Sequence, residues 1–106
     1  MDQSHLPQTL DDAIEKLIAE LPLKDRVFIA NLDRKNLPLI RLTLGAYIRD
    51  EFGFSTGNRG LLHSCRIASG NGQLTAGQAF HVFVEAFWNR LRKTHSMRMV
   101  ERKEVR

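Results

Sequence analysis

Between residues 79 and 91 the apolar side chains Ala79, Phe80, Phe83, Val84, Phe87, Trp88 and Leu91 recur in adjacent pairs every three to four positions. This is the spacing that lines one face of an α-helix. Four of the seven are aromatic, so this stripe is the densest apolar surface in the chain and has to be covered by the remaining residues. Thr75 and Gln78, just upstream, form a capping-box pair in which each side chain satisfies a free backbone N–H at the other's position. The stripe is read as a core helix, central to the fold, and not as an aromatic ligand box.

Helical spacing extends over most of the chain, and no segment alternates as a strand would. Leu10, Ile14, Leu17, Ile18 and Leu21 make a first helix, with Thr9 as N-cap, Asp11 and Asp12 in the first turn, and Pro22 beyond its end. A short second helix is expected from about Leu23 to Asn31, with Val27 and Ala30 inward and Phe28 or Ile29 sharing the burial. The third should start near Asn36 as cap with Pro38 in its first turn, and bury Leu37, Ile40, Leu44, Ile48 and Phe52 with Tyr47 beside them. Gly53 can supply its left-handed stop. Gly45 in its interior costs about 1 kcal/mol relative to Ala, which points to close packing against another helix. After the loop from Gly53 to Gly57, Asn58 can cap a fourth helix carrying Leu61, Leu62, Cys65 and Ile67 or Ala68, ended by Ser69-Gly70-Asn71-Gly72. The expectation is an all-α single domain of about five helices, with the third and fifth as the core pair.

At 106 residues, the chain has room for one hydrophobic core, and 42% hydrophobic with 26% charged residues is ordinary for a globular domain. The longest run without formal charge, Ile67 to Val84, is too polar to cross a bilayer. Met1 to His5 lacks the features of a secretory signal and Cys65 is alone, so a cytoplasmic location is expected. Charge is uneven: residues 1–53 carry a net −2 and residues 54–106 a net +6. The excess gathers at the end, and the organisation expected is a helical domain over residues 1–94 followed by a basic, mobile tail over 95–106.

Signatures of catalysis are weak. His63 and Cys65 are two apart, a spacing that sends helical side chains to different faces, and metal-ligand spacings are missing, so neither cofactor nor metal is expected. Cys65 reads as a buried, inert thiol. Asp11, Asp12 and Glu15 suit a helix start and need no catalytic role. Gly57-Asn58-Arg59-Gly60 lacks the Lys and Ser or Thr of a phosphate loop.

The segment from Leu44 to Phe54 (LGAYIRDEFGF), followed by Gly57-Asn58, Leu61-Leu62 and Cys65, resembles a family of small uncharacterised bacterial proteins with an LGxxIRNxFGLW-type pattern. Asp50 stands where that pattern has Asn, and Phe54-Ser55 where it has Leu-Trp. The resemblance implies a compact helical domain and no particular activity. Within the motif, Gly45, Arg49, Gly53, Asn58 and Cys65 are expected to serve the fold, with the Arg49 guanidinium capping loop carbonyls around Gly57 and Asn58 pinning the next helix.

The function expected is a non-catalytic interaction or regulatory module with a protein partner. Its rival in another class is a weak nucleic-acid binder that uses Arg98, Arg102, Lys103 and Arg106, since residues 98, 102 and 106 would share one face of a continued helix. A weaker rival is an enzyme centred on Arg49, Asn58 and Cys65.

Overall fold

The computed structural model describes residues 6–54 and 57–96. Five α-helices account for most of them: α1 (Leu10–Glu20), α2 (Leu23–Ala30), α3 (Leu37–Glu51), α4 (Arg59–Ser69) and α5 (Ala76–Leu91). A 3-10 turn, Arg34–Asn36, leads into α3, and a π-helical turn, Arg92–Ser96, follows α5. The described residues contain no strand.

The helix ends follow from local chemistry. Thr9 Oγ1 accepts from Asp12 N at 3.1 Å, and Asn58 Oδ1 accepts from Leu61 N at 3.2 Å. Thr75 and Gln78 complete their capping box at 3.2 and 3.0 Å. Gly53, Gly57 and Gly70 have φ of 79°, 82° and 73°, conformations that side chains rarely adopt, so these glycines turn the chain after α3, before α4 and after α4. Asn36 behaves differently from expectation: its side chain makes no capping bond, because the 3-10 turn already carries the backbone into the helix.

Helix α5 packs against each of the other four, which makes it the common wall of the core rather than half of a pair with α3. All seven members of its stripe are buried. Phe83 lies at the centre, its ring 5.5 Å from Phe52, 5.7 Å from Phe54 and 6.4 Å from Phe87. Helix α1 adds Ala13, Ile14 and Leu17, α3 adds Ile40 and Ile48, and α4 adds Leu61 and Cys65. Two expectations about the core are corrected. In α2 Ala30 is inward and Ile29 shares the burial as expected, but Val27 is only half-buried, and Phe28 is 59% exposed. In α4 neither Ile67 nor Ala68 turns inward: position 67 lies about 200° around the helix from Cys65, and 68 sits in the exposed last turn.

Polar contacts tie the helices at their edges. Arg90 on α5 pairs with Asp11 and, at 3.6 Å, with Glu15 on α1. Lys16 on α1 lies 3.0 Å from Glu20 and 3.7 Å from Glu51 of α3, and the Tyr47 hydroxyl of α3 donates to Glu20. No helix of the described residues is long and apolar enough to cross a membrane.

Candidate functional site

The motif residues from Gly45 to Cys65 converge on the joint between α3 and α4. Asn58 is the buried polar residue at its centre. Its amide donates to Phe52 O at 2.9 Å and to Pro7 O at 2.8 Å, while its oxygen caps α4, so one side chain fastens the end of α3, the start of α4 and the segment before α1. Ser64 reinforces that seam by accepting from Leu10 N at 2.7 Å. Gly53 closes the α3 end, and its carbonyl accepts from Asn58 N at 3.0 Å.

Arg49 takes a different part from the one expected. It is an exposed residue whose guanidinium lies over the Phe80 ring, 5.0 Å from the centroid, and among the described residues it makes no hydrogen bond to a loop carbonyl. The carbonyls at the loop entry are served by Asn58 instead: Phe52 O accepts from its amide at 2.9 Å and Gly53 O from its backbone N–H at 3.0 Å, while Arg49 stacks on the Phe80 ring of α5. Gly45 is buried beside this contact; a Cβ there would meet Arg49 Nη1 at 3.4 Å and Phe80 Cζ at 3.5 Å, close to ordinary van der Waals separation. Cys65 is fully buried, and loss of hydration pushes its thiol up to about 11, favouring the protonated form. Of the three residues, Arg49 stacks on a ring at the surface, Asn58 bonds to backbone groups, and Cys65 lies in the core.

Arg98, Arg102, Lys103 and Arg106 lie outside the described residues. The turn Arg92–Ser96 leading towards them is helical past the division expected after residue 94, and it packs on α2 as well as α5. Its first residue and Arg34 were both missed by the sequence reasoning. The Arg34 and Arg92 guanidiniums lie over the Trp88 indole, 5.2 and 4.7 Å from the ring, whose N–H donates to Leu32 O at 2.9 Å. A polar pocket of about 220 Å³ opens there, with Asp33 also on its wall, and Arg34 pairs with Glu85. The fourfold step from Trp88 to Arg92 was the available signal for half of this arrangement.

The other feature that spacing missed is an apolar groove of about 230 Å³ between α2 and α3. Asp25, Phe28 and Ile29 form one wall, Leu39, Ile40, Thr43 and Leu44 the other, with Leu21 and Leu32 alongside. Thr43 Oγ1 donates to Leu39 O at 2.9 Å, so its hydroxyl adds no unmet polar group. Phe28 and Leu39 are 59% and 39% exposed, and Leu42, one residue before Thr43, is 82% exposed. Among the described residues no cluster of three or more His, Cys, Asp or Glu side chains is placed to hold a metal ion. Comparison with protein-family models, with curated proteins and with solved structures finds no match to this chain.

Proposed function

We propose that this chain is a non-catalytic, cytoplasmic interaction module that works by presenting the α2–α3 face to another polypeptide. The observation that carries this reading is the concentration of solvent-facing apolar side chains. Leu23, Phe28, Leu39, Leu42 and Tyr47 all belong to α2 or α3, and two of them, Phe28 and Leu39, line one groove. Apolar surface of this kind, rimmed by polar residues, is the usual mark of a docking face. The bacterial-family resemblance fits within this reading: Gly53, Asn58 and Cys65 are used up in holding the joint between α3 and α4, leaving recognition to a different face.

A photo-crosslinking residue in place of Leu42 tests it. The expected result is one defined adduct in cells, identified by mass, that disappears when Phe28 is also replaced by Asp. The same crosslinker in place of Ile67, an exposed residue on α4, should give no such adduct. Failure to form any adduct at Leu42, or equal adducts at both positions, overturns the proposal.

A second reading, nucleic-acid binding through the basic end, is favoured by one observation: Arg34 and Arg92 are held against Trp88 at the root of the segment that carries Arg98, Arg102, Lys103 and Arg106. Stacked guanidiniums keep in-plane N–H groups available to phosphate. Titration with single-stranded and duplex DNA and RNA checks it: binding should fall steeply between low and physiological salt and vanish on removal of residues 95–106. An absence of binding at low salt rejects this reading.

A further inference from the structure

Resting on the docking role of the α2–α3 face, we infer that its occupant is a second copy of the same chain, with Phe28 of each copy entering the groove of the other. A two-fold contact uses one patch twice, so that patch must contain both a projecting group and a receptor for it. This face has both. Phe28 stands at the rim of the groove, more than half exposed, next to an apolar hollow large enough to receive a ring. Leu39 lines the groove on α3, and Leu42, three residues further along the same helix, is exposed.

Charge on the face is self-complementary as well. Lys24 and Asp25 precede Phe28 by four and three positions, which places both on the Phe28 side of α2. Neither has an ion-pair partner among the described residues. Lys24 and Asp25 flank Phe28 on opposite sides, about −40° and +60° around the helix, so a two-fold axis parallel to α2 and passing beside Phe28 sets Lys24 of each copy against Asp25 of the other. Salt acts on this contact in two opposed ways: it screens the net charge of +4 on each chain, which hinders approach, and it screens the Lys24–Asp25 pairs, which favour it. Self-association therefore depends on salt much less than phosphate binding, which falls steeply.

Sedimentation equilibrium of the full chain tests this over about 1 to 500 µM, a range that suits a transient interface. The mass should rise from one copy to two, with a midpoint that changes little between low and physiological salt. Phe28→Asp should remain a single copy throughout. Lys24→Asp and Asp25→Lys should each weaken the dimer by about tenfold, since symmetry repeats the clash, and the double variant should recover to within about threefold. Unchanged far-ultraviolet circular dichroism and melting show that each variant is folded. A single copy at every concentration and salt, or a Phe28→Asp variant that dimerises as well as the parent, overturns the inference. A neutral apolar dye, Nile red, then separates the two levels: binding by the monomer that is lost in Phe28→Asp keeps the docking role with a different polypeptide as occupant, and no binding removes both.

Discussion

At the scale of single residues, the fold depends on polar groups in proportion to how completely they are enclosed. Asn58 is buried and makes three side-chain bonds, so Asn58→Ala strands two carbonyls and an N-terminal amide and should cost about 2–4 kcal/mol in chemical denaturation. Asn58→Asp keeps the cap but turns a carboxylate towards the Phe52 and Pro7 oxygens, so it should recover little. Arg49→Ala, which removes an exposed cation–π contact, should cost only about 0.5–1 kcal/mol. The order of these two losses checks the reassignment of the loop carbonyls from Arg49 to Asn58. Gly45→Ala is a separate case: its methyl meets Arg49 and Phe80 at near-contact distance while the helix recovers about 1 kcal/mol of propensity, so the variant should be no less stable than the parent. Alkylation of Cys65 in the folded protein should proceed at the rate of global opening, far below that of a free thiol.

At the scale of elements, legibility followed the density of the apolar pattern. The seven-position stripe of α5 and its capping box could be read residue by residue because nothing competes with a face so strongly apolar. Helix α2 could not, because Val27, Phe28 and Ile29 are consecutive apolar residues pointing about 100° apart, and only the neighbouring helices decide which one is enclosed. The sequence alone therefore buried Phe28 as readily as Ile29 and hid the groove beside it. Substitution separates them: Ile29→Ala should cost about 2–4 kcal/mol, whereas Phe28→Asp should change stability by less than about 1 kcal/mol. The candidate site was legible only in part for a related reason. Chain spacing reports which residues share a helix face, but the meeting of Arg34 with Trp88, or of Asn58 with Pro7, joins segments distant in sequence.

Across the whole molecule, the edge between α1 and α3 gives stability a defined pH window. The Tyr47 hydroxyl, followed by Lys16, holds the Glu20 carboxyl below its ordinary value, and the same hydrogen bond to Glu20 pushes Tyr47 up to about 12. A depressed carboxylate stabilises above its unfolded pKa and loses that contribution as pH falls through the folded value. A raised phenol stabilises below its unfolded pKa, about 10, and loses it as pH climbs towards the folded value. Tyr47→Phe should therefore lower the melting temperature between about pH 5 and 10, with the difference from the parent closing in stronger acid and stronger alkali. Helix α5 has a consequence of another kind, in time. A ribosome makes α1 to α4 first, and the wall on which all four rest leaves it after them. Until Leu91 has emerged, the nascent chain holds four amphipathic helices with no common surface to close on, so its folding waits for nearly the whole described chain to be made and a nascent fragment ending at Thr75 stays unfolded in solution.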